Sequence, residues 1–181
     1  MLRALPVLTA ALLALAPRLA AQDTPEQVAE RYFQTLRTGD YAGNVALMHP
    51  EALNELKETM QGLVALAGAE ADGDSTFQRM FGVPNAAGFN QLTAAQVFER
   101  MLRSQLDDPD MREILNGSQT VVLGHVMEGD TVAHVVYRMR MSVGEMEMDQ
   151  VQVTPLKRAD GQWRVLLTGS LAGMMNAMPR D

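Results

Sequence analysis

The chain has 181 residues, of which 47% are hydrophobic, 20% charged and 5% aromatic, and it contains 14 Met and no Cys. This size fits one domain, alone or behind a leader, and the lack of Cys excludes disulfides, thiolate metal sites and a Cys nucleophile. The formal net charge of −7 argues against a nucleic-acid or anionic-membrane partner, because such partners select basic surfaces.

Residues 1–21 have the layout of a secretory signal peptide. Arg3 gives a positive start, an almost uninterrupted run of small and apolar residues extends from 4 to 16, and Ala20-Ala21 offers a cleavage point. The apolar run is shorter than the roughly 20 residues that a membrane-spanning helix needs. We expect cleavage after Ala21, export to the periplasm or the exterior, and no membrane span afterwards. An uncleaved anchor is the alternative.

Helical patterns open the rest of the chain. The segment Thr24 to Gln27 combines a capping Thr, a Pro at the first helical position and a Gln three residues after the cap. The apolar stripe that follows ends at Gly39, a residue suited to positive φ, so one helix should end there. A short segment from 40 to 48 and a helix from 50 to about 66 come next.

The middle of the chain gives weaker signals. Gly and Pro interrupt residues 68–90, which predicts a loop that contains a short apolar patch around Phe77 and Phe81. A helix resumes at Thr93, which can cap it, and extends to Leu106. One or two further helical turns follow from 110 to 115.

After Gly117 the apolar period changes from near four to two, which indicates strands. Four strands are predicted at 119–128, 131–142, 145–157 and 162–168, and Asp160-Gly161 is the strongest hairpin signal. Helices followed by an antiparallel meander predict an α+β domain, with the helices packed on one face of a curved four-stranded sheet. We place this domain at 22–170 and a flexible, Met-rich tail at 171–181.

The second strand assigns the faces of the sheet. Alternation places Tyr137 and Met139 on the face that should meet the helices, and Arg138 and Arg140 on the outer face. A turn at Val143-Gly144 would set two pairs of methionines opposite each other on the inner face: Met141 with Met146 and Met139 with Met148. The same register would set Arg140 opposite Glu147 and Arg138 opposite Asp149.

The third strand changes polarity along its length. Val151 and Val153 fall on the same face as the arginines, which indicates either a partly apolar outer face or a bulge near Asp149 and Gln150.

Three short motifs carry a family resemblance: YFQTLRTGDY at 32–41, LMHPE at 47–51 and DGQWRV at 160–165. With the strand meander, they resemble the nuclear transport factor 2-like superfamily, which includes ketosteroid isomerases and small, SnoaL-like polyketide cyclases. The resemblance covers most of 24–168 and implies a cone-shaped domain that forms homodimers through its outer sheet face. The chain departs from the family layout at 50–106, where many members have an early pair of strands.

The resemblance also implies a pocket inside the cone, where members that are enzymes use a carboxylate or His base with a Tyr or acid donor. The residues expected to line it are Tyr32, His49, Tyr137, Met139 and Trp163. No local motif forms a catalytic set, so the only candidates for one are Asp40, His49 and Tyr137. The simpler alternatives are a turn or capping role for Asp40, a helix-entrance role for His49 and a core role for Tyr137 and Trp163.

No metal or cofactor is expected. His125 and His134 lie on a hairpin without a carboxylate at ligand spacing. The chain has neither a Gly-rich phosphate loop in a strand–helix setting nor a Gly-x-Ser-x-Gly nucleophile turn. Arg138, Arg140 and Arg164 would suit an anion only if the neighbouring carboxylates did not neutralise them.

The sequence therefore predicts an exported, non-catalytic domain that binds a small apolar ligand in its cone or a protein partner on its sheet. Flexible Met side chains on the inner face suit an irregular apolar ligand. The alternative is an isomerase- or cyclase-type enzyme with His49 or Asp40 as the base and Tyr32 or Tyr137 as the donor.

Overall fold

The computed structural model describes residues 22–67, 73–143 and 146–167. Within them the helices come first and the strands last: α1 (Pro25–Thr38), α2 (Tyr41–Leu47), α3 (Pro50–Ala67), α4 (Gly73–Phe81), α5 (Ala86–Gln91), α6 (Ala94–Leu106), α7 (Pro109–Gly117), β1 (Gln119–Glu128), β2 (Val132–Val143), β3 (Met146–Ala159) and β4 (Gln162–Val165). The strands form one antiparallel sheet in the order β1-β2-β3-β4. The predicted α+β class is confirmed.

The leader, residues 1–21, and the tail, residues 171–181, lie outside the described residues. Every helix in the described part is too short or too polar to cross a lipid bilayer.

Helix α1 begins and ends at the residues that the sequence predicted. Thr24 and Gln27 form a reciprocal capping box, in which each side chain accepts a hydrogen bond from the other residue's backbone N–H. Gly39 ends the helix with φ 74°, a left-handed conformation that suits glycine. α6 begins with the same box, formed by Thr93 and Gln96.

The predicted loop at 68–90 is wrong for its described part, because α4 and α5 lie there. Phe77, Phe81 and Phe89 are all buried, and the Phe81 and Phe89 ring centroids are 4.8 Å apart. Burial of these rings stabilises short helices that would be marginal alone. Asn85 caps α5 by accepting a hydrogen bond from the Gly88 N–H.

The predicted pairing of β2 with β3 is wrong by two residues. Met141 lies opposite Met148 and Arg140 opposite Asp149, since the strands pair up to Val143 and Met146. The connection is therefore 144–145 instead of 143–144. A slip of two residues keeps every side chain on its predicted face.

The sheet has its irregularity in β1, between Val122 and Gly124. The β2–β3 ladder is regular past Asp149 and Gln150, so the bulge suggested there is wrong. The other interpretation holds, because Val151 and Val153 are 54% and 48% exposed on the outer face.

The helices pack on the inner face of the sheet. Ala133, Val135 and Tyr137 of β2 are buried there, together with Leu156 of β3 and Val165 of β4. Alternation in β2 therefore predicted the buried face correctly, although it did not predict the register.

Candidate functional site

The candidate site lies on the inner face of β2 and β3, beneath α1. Tyr137 of β2 is opposite Gln152 of β3, and the next inner pair is Val135 with Thr154. The apolar stripe of α1 brings Tyr32 and Phe33 onto the same face. The Phe33 ring centroid is 4.4 Å from that of Tyr137 and 5.5 Å from that of Tyr32, so the three rings form one aromatic cluster.

Both phenols of this cluster are held in their neutral form. Removal from water raises the pKa of Tyr32 to about 12, and the nearby Tyr137 adds to the shift. Burial also raises the pKa of Tyr137, and the Thr154 hydroxyl beside it offsets part of that rise. The physical causes are burial and neutral neighbours, so neither phenol is prepared to release a proton near neutral pH.

The hydrogen bonds around Tyr137 run along β3. The Tyr137 hydroxyl donates to Oε1 of Gln152 over 2.8 Å, and Nε2 of Gln152 donates to Oε1 of Gln150 over 3.2 Å. Thr154 is only 1% exposed, yet its Oγ1 has no hydrogen-bond partner among the described residues. A buried hydroxyl left unpaired costs about 1–3 kcal/mol, and the Tyr137 hydroxyl, whose pKa the Thr154 hydroxyl lowers, is the group that can offset part of this cost.

An apolar groove of about 420 Å³ lies beside the aromatic cluster, between α1, α7 and the first two strands. Its apolar lining residues are Phe33, Leu36, Leu115, Val121, Val122, Met139 and Met141. Glu30 and Arg37 are among its polar lining residues. Phe33 belongs both to the groove and to the cluster, so the two features adjoin. Their combination of apolar surface with a few polar groups is typical of small-molecule sites.

The structure brings three of the expected pocket residues together: Tyr32, Tyr137 and Met139. His49 lies elsewhere, at the start of α3 against β4. Its backbone N–H donates to the Val165 carbonyl over 2.8 Å, and its Nδ1 accepts from the Glu51 N–H over 3.2 Å. Trp163 is buried, and the Arg158 guanidinium lies 4.5 Å from its ring centroid.

Asp40 is exposed and caps α2, where its carboxylate accepts a hydrogen bond of 2.9 Å from the Gly43 N–H. Among the described residues, neither Asp40 nor His49 hydrogen-bonds to Tyr32 or Tyr137. These placements match the simpler alternatives for both residues, a capping carboxylate and a helix-entrance histidine.

Sequence reasoning missed Phe33, Gln152 and Thr154 as members of the site. The alternation of β3 contained a signal for Gln152 and Thr154. Because Val151 and Val153 point outward, the residues between and beside them point inward. Those inward residues are polar, which is unusual on a face covered by helices.

Two histidines and two arginines of the sheet have carboxylate partners outside the site. His125 Nδ1 is 2.5 Å from Glu26, and His134 Nε2 is 2.6 Å from Glu128. Asp149 lies 3.5 Å from Arg138 and 3.0 Å from Arg140. In the part of the chain that the structure describes, no three His, Asp or Glu side chains are grouped as a metal site would require.

Comparisons with known proteins leave the chain without a family assignment. No protein-family model matches it, and no curated protein does. Among solved structures, the chain is similar to an NTF-2-like protein of unknown function from Shewanella oneidensis MR-1, with 12% identity and a TM-score of 0.40, over 77% of this chain and 89% of that one. The fold class is given by the chain's own helices and strands.

Proposed function

We propose that this protein is an exported, non-catalytic domain of nuclear transport factor 2-like type that binds a small, mainly apolar ligand beneath α1. The single observation that carries ligand binding is the apolar groove of about 420 Å³ that adjoins the aromatic cluster. An apolar cleft with a few polar groups in its lining is the usual form of a small-molecule site, so this groove favours a ligand with a mainly apolar surface.

The chemistry of the site supports binding over catalysis. General acid–base catalysis needs a base and a donor within hydrogen-bond reach of one substrate. The Asp40 carboxylate and the His49 ring are engaged at helix starts, and both phenols have raised pKa values. An isomerase- or cyclase-type enzyme would have to recruit a base from outside this cluster.

Native mass spectrometry of the protein purified from its own exported fraction tests ligand binding. We expect a retained small molecule on the wild type that is lost or reduced in Leu115→Glu, which puts a charge into the apolar groove. Met111→Glu, at an exposed position on the same helix, serves as the matched control. A wild type that carries no ligand and binds none from a library of neutral aromatic compounds would contradict the proposal.

Export is tested separately, by sequencing the N-terminus of the protein recovered from the periplasm or the medium. We expect it to begin at Gln22. A protein that remains inside the cell with Met1 intact would contradict the export part alone.

A second candidate function, homodimer formation through the outer sheet face, is favoured by a specific exposed patch. Its members are apolar side chains of β1 and β3 that are 48–62% exposed: Val121, Leu123, Val126, Val151 and Val153. Arg138 and Arg140 border the patch and share Asp149 as their partner, so the carboxylate offsets one of the two positive charges that a second copy would meet. A stable dimer needs about 800 Å² buried per partner, which requires this patch together with its charged border.

Sedimentation analysis tests the dimer. We expect the wild type to sediment as a dimer and Val151→Lys to sediment as a folded monomer, with Met111→Lys, an exposed position on α7, as the control. A monomeric wild type at high micromolar concentration would exclude this role.

A further inference from the structure

We propose that the ligand of the groove is an amphiphilic carboxylate, whose charged group binds the Arg37 guanidinium and whose apolar body lies between α1 and β2. This inference rests on the ligand-binding function proposed above and names the class of ligand. Two features of the groove carry it: an arginine without a partner at one end, and the apolar side chains that line the rest.

The groove has a basic end and an acidic end. Arg37 and Glu30 both line it, and they lie seven residues apart on one face of α1, a separation of roughly 10 Å along the helix axis. The first turn of α1 contacts the second half of β1, because the side chains of Glu26 and His125 are 2.5 Å apart. Gly39, which ends α1, lies against α7, the helix that precedes β1. The basic end of the groove therefore lies at the start of β1.

The Arg37 guanidinium makes no hydrogen bond or ion pair with the part of the chain that the structure describes. Arg31 on the same helix, by contrast, is 2.6 Å from Asp23. A basic residue in the last turn of a helix also complements the helix dipole, so the place of Arg37 on α1 does not by itself indicate a ligand. An unpaired guanidinium that lines an apolar groove does favour one, because its planar set of donors matches a carboxylate.

The surroundings of Arg37 suit a single negative charge. Gln34 of α1 and Thr120 of β1 line the groove with it, and an amide or a hydroxyl can donate a hydrogen bond to a carboxylate without adding charge. Glu30 lies about one Debye length away at 0.1 M ionic strength, so its repulsion of an anion at Arg37 is largely screened. The field at this end is therefore locally positive, although the whole chain has a net charge of −7.

The rest of the lining suits the apolar body of an amphiphile. Phe33 comes from α1, Leu115 from α7, and Met139 and Met141 from β2. Thioether side chains adapt to flat or irregular apolar shapes, and a volume of about 420 Å³ lies in the range of small-molecule pockets. A purely polar anion would use Arg37 and leave these side chains in water, so the lining as a whole favours a carboxylate with an apolar ring or branched chain.

Displacement of a neutral dye by three probes of similar shape tests the inference. The full chain is loaded with N-phenylnaphthylamine, and the dye is displaced by naphthylacetate, naphthylethanol or naphthylethylamine, which carry a carboxylate, a hydroxyl or an ammonium on the same ring. We expect the carboxylate to reach half-displacement at a concentration about 3- to 10-fold lower than the alcohol, between the values for an exposed ion pair and for a hydrogen bond to a charged group. The ammonium should be the weakest, whereas general attraction to an acidic protein would make it the strongest.

Three variants assign the preference to Arg37. We expect Arg37→Gln to bind the carboxylate and the alcohol equally, with the alcohol unchanged from wild type, which shows that the groove is intact. Arg37→Lys should keep part of the preference, because it retains the charge but not the planar set of donors. Arg31→Gln is the matched control, since it removes the same charge from α1 at a residue outside the groove, and it should keep the wild-type preference.

The outcomes separate this inference from the proposed function. Equal displacement by the carboxylate and the alcohol, or stronger displacement by the ammonium, overturns the inference and leaves ligand binding intact. A preference that survives in Arg37→Gln, or that disappears equally in Arg31→Gln, also overturns it. A dye that stays bound against all three probes overturns it as well, because the dye then occupies another place. Failure of the dye and every probe to bind refutes both proposals, whether another segment of the chain or a second copy fills the groove.

Discussion

Replacement of Thr154 by Val should make the ligand-free protein more stable, although it removes a hydrogen-bonding group. Thr154 is 1% exposed and its Oγ1 is unpaired among the described residues, while Val has nearly the same shape. An unsatisfied buried hydroxyl costs about 1–3 kcal/mol. Its removal should therefore raise the free energy of unfolding by about 1 kcal/mol or more.

The assay is urea unfolding of the ligand-free protein, refolded from denaturant to remove any bound molecule. In a protein of this size, 1 kcal/mol corresponds to a shift in Tm of about 2–4 °C, so calorimetry provides a second measurement. Thr154→Ser is the matched control, because it keeps the hydroxyl, loses the methyl and should destabilise through a small cavity.

A loss of 1 kcal/mol or more in Thr154→Val would refute the reasoning, since it would mean that the hydroxyl has a partner in the folded state.

Three further predictions concern α1 and the residues that hold it in place. Because the pKa of Tyr32 is raised to about 12, the folded state keeps a proton that the unfolded chain loses near pH 10, so stability should fall as pH rises from about 10 to 12; absorbance titration at 295 nm should show a late-ionising tyrosine that is missing in Tyr32→Phe. Asn44 is fully buried, and its Nδ2 donates to the Tyr32 carbonyl and to Oγ1 of Thr35, while its Oδ1 has no partner among the described residues. Asn44→Ala should cost about 1–2 kcal/mol in urea unfolding, because removal of the unpaired oxygen offsets part of the loss of two hydrogen bonds; a cost below 0.5 kcal/mol would argue against this bracing of α1. Gly39→Ala forces a Cβ into a φ of 74° and to 3.0 Å from the Arg112 guanidinium, so a loss of about 1–2 kcal/mol is expected, and an unchanged denaturation midpoint would contradict it.

Local chemistry made several features of the fold predictable. The start of α1 follows from a Thr, a Pro and a Gln at fixed spacing, and its end follows from Gly39. The change of apolar period after Gly117 identified the sheet, and alternation in β2 identified its buried face. Each of these signals acts within a few residues, so the sequence displays it directly.

Other features depend on contacts between distant segments. α4 and α5 form in a Gly- and Pro-interrupted region because Phe77, Phe81 and Phe89 pack into one core. The β2–β3 register slipped by two residues from the prediction because the alternating pattern is unchanged by such a slip. Neither the packing of these rings nor the choice between two equivalent registers can be predicted from a short segment of sequence.

The sequence by itself determined the α+β class, the buried face of β2 and the candidates Tyr32, Tyr137 and Met139. Only the tertiary structure decided which candidates meet. His49 lies against β4, away from the two tyrosines, and Gln152 and Thr154 of β3 lie beside Tyr137 instead. The physical reason is that a binding site is an arrangement of side chains from separate elements, whereas residue patterns report the environment of one element at a time.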